Sequence, residues 1–190
     1  GQDAPCLTMG TEDLSYGDVQ RISHRVARAL QRSGIRPGDK VAVLSSNHAL
    51  GFACVFGISR AAAVWCPVNP RNEASENRFV LDAFDCSCLV FHSNYAPMVE
   101  QMRANLPKVR VFVCLDAELD FAPSWTQWVD GVSDAPIDIA PVDDLAMIAG
   151  TGGTTGQPKG VMLSGRNLET MSALTLMGYP FDGRPTYLAL

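Results

Sequence analysis

The residues that could do chemistry are concentrated in one string, Thr151-Gly-Gly-Thr-Thr-Gly-Gln-Pro-Lys-Gly160. Its glycines let the backbone approach a ligand closely and take up positive φ. Successive backbone N–H groups in such a loop can point into one concavity and bind an anion. Thr151, Thr154 and Thr155 add hydroxyl donors, and Lys159 adds a mobile positive charge. That set suits a polyphosphate, with Thr151, Gly152, Gly153, Thr154, Thr155, Gly156 and Lys159 as the binding residues. The string differs from a Walker A loop, which needs Gly-Lys-Ser/Thr leading into a helix. Here Gly156 is followed by Gln-Pro and Lys159 by Gly160. Pro158 has no N–H to give, and residues 160–163 read as a strand, so a hairpin-like loop exposed between two strands is predicted. The plain alternative is a flexible glycine hairpin with solvated threonines.

The elements that must position this loop alternate along the chain. Residues 5–16 read as a short hairpin turning at Gly10-Thr11-Glu12-Asp13. A helix is predicted over 17–32, with Val19, Ile22, Val26 and Leu30 on one face and arginines on the other. Ser33-Gly34 stops it, and Arg36-Pro37-Gly38-Asp39 turns into a strand over 40–45. Asn47 is the expected cap of a second, mostly buried helix over 49–61. Strands follow at 63–68, 88–92, 109–115 and 145–149, separated by helices at 73–84, with Phe79, Val80 and Phe84 inward, and at 95–105. Residues 118–141 read as a long surface connection with one short helix at 124–129, whose Trp125 and Trp128 pack onto the domain. Continuous apolar strands between amphipathic helices imply an α/β layered fold, a mostly parallel sheet with helices on both faces and right-handed crossovers.

Composition narrows the class. The chain is 47% hydrophobic and 18% charged, with a net charge of −5. That charge gives no reason to expect nucleic acid or an anionic membrane as partner. Lysine is scarce, twelve Arg standing against Lys40, Lys108 and Lys159, which sets off the lysine in the loop. Cys54, Cys66, Cys86, Cys88 and Cys114 sit among apolar neighbours, so buried free thiols of a reducing compartment, and hence a cytoplasmic protein, are expected. Cys86-Ser-Cys88 lacks metal or redox spacing, and no metal site is assigned. No basic-then-apolar leader is visible at the N-terminus, and the apolar stretch 49–68 is broken by Arg60, so it reads as core and not as a membrane span. His24, His48 and His92 have no informative partner in sequence and read as structural or surface groups, and Asp143-Asp144 reads as a turn.

At the glycine-threonine string the chain resembles the superfamily of acyl-CoA synthetases, non-ribosomal peptide adenylation domains and firefly luciferase. The family's phosphate-loop signature is T-S-G-T-T-G-x-P-K-G, and nine of those ten positions are compatible with residues 151–160. The departure is Gly152, where the family has Ser. Leu14-Ser-Tyr-Gly-Asp18, Gly34-Ile-Arg-Pro-Gly-Asp-Lys-Val-Ala42 and residues 61–70, with Ala62 in place of the usual Gly, also match in order.

The resemblance covers essentially the whole chain, most like a bacterial long-chain fatty-acid–CoA ligase. It implies that residues 1–190 are one partial domain, the N-terminal portion of the large AMP-binding domain, with its phosphate loop at 150–160. The implied reaction joins a carboxylic acid to ATP, releasing pyrophosphate, and passes the acyl group to coenzyme A. Mg2+ is implied, its carboxylate ligand lying outside this chain. No complete catalytic set falls within the 190 residues, so the chain by itself is expected to be inactive and, with unpaired strand edges, prone to self-association. Alternatives are an adenylation domain serving a carrier protein, or a non-catalytic nucleotide-binding domain.

Overall fold

Most of the helices are opened by a polar side chain that the chain places immediately before them. Pro5–Met9 (β1) and Glu12–Ser15 (β2) pair antiparallel and deliver Ser15 to the start of α1 (Tyr16–Arg32). Ser15 accepts from the Asp18 N–H, and the Asp18 carboxylate accepts from the Ser15 N–H at 2.9 Å, a reciprocal capping box. The second helix, α2 (Ala49–Arg60), is capped by His48, not by Asn47: the His48 side chain accepts from the Gly51 N–H. The computed structural model describes residues 1–141, 143–151 and 159–179 and positions 183 and 186.

The main sheet has six strands in the order β6-β5-β3-β4-β7-β8. These are β3 (Lys40–Leu44), β4 (Val64–Val68), β5 (Cys86–Phe91), β6 (Val111–Cys114), β7 (Leu145–Thr151) and β8 (Lys159–Ser164). All neighbours run parallel except β7 and β8. The chain leaves β3 for β4 through α2, then returns across β3 to β5 through α3 (Ala74–Ala83), and reaches β6 through α4 (Ala96–Arg103). A 3-10 turn, Ser93–Tyr95, precedes α4.

Because the winding reverses at β3 and β4, α2 and α3 fall on opposite faces. On one face Val26, Leu30, Cys54 and Ile58 of α1 and α2 pack with Val41, Cys88, Val90 and Val113. On the other, Val80, Leu81, Val99 and Met102 of α3 and α4 pack with Ala42, Leu44, Leu89 and Phe91. Neighbouring strand residues thus serve opposite layers, and all six residues of β5 are buried, as expected for a sheet covered on both sides. The expected architecture is present. Cys54, Cys66, Cys86, Cys88 and Cys114 are buried and free, and Cys6 is free and partly buried. Burial alone pushes the Cys54 thiol up to about 12, so it is inert as a nucleophile. Among the described residues, no helix is long and apolar enough to cross a membrane.

The connection 118–141 differs from a free surface loop. It includes the short α5 (Trp125–Trp128), as expected, and Trp128 is buried with its indole N–H donating to Ser33 Oγ at 2.9 Å. The arginines on the other face of α1 fasten this connection to it. Arg25 donates to the Val129 carbonyl at 2.8 Å, Arg32 to those of Trp128 and Asp130, and Arg28 to those of Ala135 and Pro136. Buried His24 accepts from the Ile137 N–H at 3.0 Å.

Candidate functional site

The glycine-threonine string lies between the paired strands β7 and β8. Thr151 stands opposite Lys159 in the antiparallel register, and the Thr151 hydroxyl donates to the Lys159 carbonyl at 3.1 Å. Thr151 and Lys159, expected to bind the same anion, are therefore brought together as the last rung before the loop. Gly152, Gly153, Thr154, Thr155 and Gly156 lie outside the described residues. Thr151 and Lys159 are both exposed. Lys159 enters none of the ion pairs among the described residues.

β7 runs parallel to β4, with Trp65 opposite Met147, so the hairpin opens at the carboxyl edge of the sheet. In open α/β sheets, ligands bind outside the carboxyl ends of the strands, where the winding reverses. A cavity of about 110 Å³ lies at the carboxyl ends of β4 and β7, lined by Pro67, Asn69, Asn72, Asn77, Val80, Gly150 and Thr151. Its amide-rich wall and the exposed cation at Lys159 suit a polar, anionic group.

Helix α3 underlies this hairpin. Asn77 and Val80 line the cavity beside Gly150 and Thr151. One turn further, the Phe84 ring reaches Gly160, where an added Cβ would lie 2.7 Å from Phe84 Cε1 and 2.7 Å from Ile148 Cγ2. A glycine is required at 160 because the ring occupies that space. Sequence reasoning placed Val80 and Phe84 inward but missed Asn77, which is fully buried while Phe79 is only partly so. A polar residue at i, i+3, i+7 spacing with two buried apolar ones was the available signal.

At the far side of the hairpin, Asp143 turns the chain by accepting from the Leu145 N–H at 3.0 Å. Ser164 caps α6 (Gly165–Gly178) through a capping box with Asn167. This helix was not foreseen, although Ser164-x-x-Asn167 marks its start. None of its residues is buried.

A second polar group lies over β3, β5 and β6. The His48 and His92 rings are 5.1 Å apart, and His92 Nε2 is 3.4 Å from the Asp116 carboxylate. Asp116 also accepts from the Ser93 N–H at 2.8 Å and hydroxyl at 2.6 Å. Each histidine uses Nδ1 to accept a backbone N–H, His48 from Gly51 and His92 from Asn94. These are caps, so both imidazoles are structural. Burial, then the neighbouring His92, holds His48 below its ordinary value. Among the described residues no group of three His, Cys, Asp or Glu side chains fits a metal ion.

A family profile described as "AMP-binding enzyme" matches residues 1–190. The chain belongs to that family. It is 31% identical over 166 residues to the fatty acid–[acyl-carrier-protein] ligase ScoC of Streptomyces coeruleorubidus, covering 86% of this chain and 30% of that protein. It is 32% identical over 165 residues to a feruloyl-CoA synthase of an Amycolatopsis species, covering 87% of this chain and 31% of the relative. The chain thus spans about a third of the length of these relatives. Among solved structures, the anthranilate CoA ligase AuaEII in complex with anthranoyl-AMP superposes with a TM-score of 0.86 at 22% identity, over 91% of this chain and 34% of that one. That likeness concerns the fold.

Proposed function

We propose that this chain is the N-terminal, phosphate-binding portion of an ATP-dependent acid–thiol ligase that makes acyl-CoA from a carboxylic acid, a fatty acid being the preferred substrate class. The observation that carries the reading is the Thr151–Lys159 rung at the carboxyl edge of the sheet, which sets a hydroxyl and an exposed ammonium at the mouth of one hairpin. In the first half-reaction a carboxylate oxygen attacks the α-phosphorus of ATP and the bond to pyrophosphate breaks. Negative charge then grows on the leaving pyrophosphate. Thr154, Thr155 and the N–H groups of Gly152, Gly153 and Gly156 cradle the β- and γ-phosphates, Thr151 joins them when its hydroxyl turns from the Lys159 carbonyl, and Lys159 offsets that charge. In the second half-reaction a thiol attacks the acyl carbon and AMP leaves.

Mg2+ accompanies the ATP, with its carboxylate ligand outside this chain. A reducing, cytoplasmic setting goes with the reading and is supported by the five buried thiols. One observation favours a second acceptor, because the relative from Streptomyces coeruleorubidus is named for transfer to an acyl carrier protein. The test is acid-dependent ATP–pyrophosphate exchange by the complete protein, followed by product formation with either coenzyme A or a carrier protein. Absence of exchange with every acid in a broad panel would remove the enzyme reading.

A further inference from the structure

The carboxyl edge contains an amide network that the phosphate reading does not use. Asn77, in the second turn of α3, is 0% exposed. A buried amide without partners is costly, and here both ends are engaged. Its Nδ2 donates to the Asn69 carbonyl at 3.1 Å, and its Oδ1 accepts from Asn72 Nδ2 at 3.2 Å. The turn after β4 is shaped by the same type of group, since Asn69 Oδ1 accepts from the Arg71 N–H at 3.0 Å. Asn69, Asn72 and Asn77 then form one wall of the cavity whose other wall is Gly150 and Thr151.

We infer that Asn77 is a positioning residue for the phosphate hairpin: its amide fixes the 69–72 turn against the end of β7, and so sets where Thr151 and Lys159 present their donors. This rests on the hairpin being the polyphosphate site. The geometry favours it over a role confined to the core. α3 meets the hairpin at two points a turn and more apart, Asn77 and Val80 beside Gly150 and Thr151, and Phe84 beneath Gly160. The phenylalanine fixes the depth of the hairpin, while the amide fixes its open end. No apolar side chain could do the second task, because the atoms it engages, the Asn69 carbonyl and the Asn72 amide, are polar.

The experiment uses the complete protein and reads amide hydrogen exchange residue by residue. In Asn77→Leu, which keeps the volume and removes the network, amides at the open end of the hairpin (149–151 and 159–161) should exchange about tenfold faster, while those of Val43 and Leu89 in the central strands keep their rates. Unchanged exchange at the open end would overturn the inference. Should Asn77→Leu fail to fold, Asn72→Ala decides, because it withdraws one partner from the half-buried side. Faster exchange confined to the hairpin supports the role, and wild-type rates overturn it.

A titration with inorganic tripolyphosphate separates this inference from the reading beneath it. If the wild-type hairpin amides do not respond, the phosphate assignment fails while the exchange result still reports on the network. If they respond and Asn77→Leu binds equally well, the positioning role is overturned.

Discussion

The ring of Phe84 fills the space that a Cβ on Gly160 would need, although the two residues stand at opposite ends of separate supersecondary units. Phe84 closes α3, and Gly160 is the second residue of β8. The contact ties β8, the return arm of the hairpin, to the helix beneath it. Gly160→Ala should therefore cost about 1–3 kcal/mol, the usual range for overpacking. Phe84→Leu in the same chain should restore part of that loss by shortening the obstructing side chain. Urea midpoints of the two single variants and the double variant form the cycle, and additive losses would show that the contact is not what requires glycine.

A second expectation comes from Ala62, which follows α2 with φ at 54°. An L-residue in the left-handed region is disfavoured by about 1–2 kcal/mol, and glycine escapes that cost while losing more entropy on folding. Ala62→Gly should stabilise the chain by a net of about 0.5–1 kcal/mol. A lower urea midpoint in the variant would refute this.

These two sites show what was legible in the sequence and what was not. The alternation of runs such as Lys-Val-Ala-Val-Leu with amphipathic helices carried the sheet and its layers, because burial on both faces leaves strands uniformly apolar. The family was legible at residues 151–160, because glycine, threonine and lysine concentrate there in the family's order. Asn77 and the partners of the α1 arginines were not legible, since Arg28 reaches Ala135, far along the chain, and Asn77 meets a turn whose shape depends on it. The cap at His48 was missed because imidazole is an uncommon N-cap and Asn47 a preferred type.

In the complete protein, Lys159→Ala should slow pyrophosphate exchange by about 10²-fold, in line with the loss of one preorganised charge-stabilising group. Binding of the carboxylic acid should change far less. Lys159→Arg should recover only part of the rate, because a planar fork replaces a compact ammonium. Near wild-type exchange in the alanine variant would contradict the assigned role.

Acid should weaken the fold from the histidine-capped edge. Burial first, and His92 second, hold His48 below its ordinary value of 6.5, against smaller opposing effects of Asp116 and Glu12. Between that lowered value and 6.5 the unfolded chain binds more protons than the folded one, so stability falls as pH drops through this window. Asp116 acts lower. Burial raises its pKa, but the hydroxyl and N–H of Ser93, with His92, outweigh this and hold it below 3.8, so its contribution is lost only beneath that pH. His48→Asn, an N-cap that does not titrate, should flatten the first window alone. An unchanged pH profile in that variant would exclude His48 as its source.

The 190-residue chain should self-associate. Met171, Leu174 and Met177 on α6 are 63%, 58% and 78% exposed, and β8 is an edge strand of the sheet. Exposed apolar helices and unpaired strand edges both recruit copies of themselves. Sedimentation should show mass rising with concentration, and Met171→Glu with Leu174→Lys should suppress it. A monomer at high concentration would dispose of the expectation.

The arginine fastening along α1 has a different consequence. Arg25, Arg28 and Arg32 grip peptide carbonyls, which never gain or lose a proton in the range where proteins unfold, and guanidinium stays charged throughout it. These three grips are thus indifferent to acidity, while the His48 cap is not. Under mild acid the His48 cap should therefore loosen before the arginine grips on Val129, Ala135 and Asp130 do.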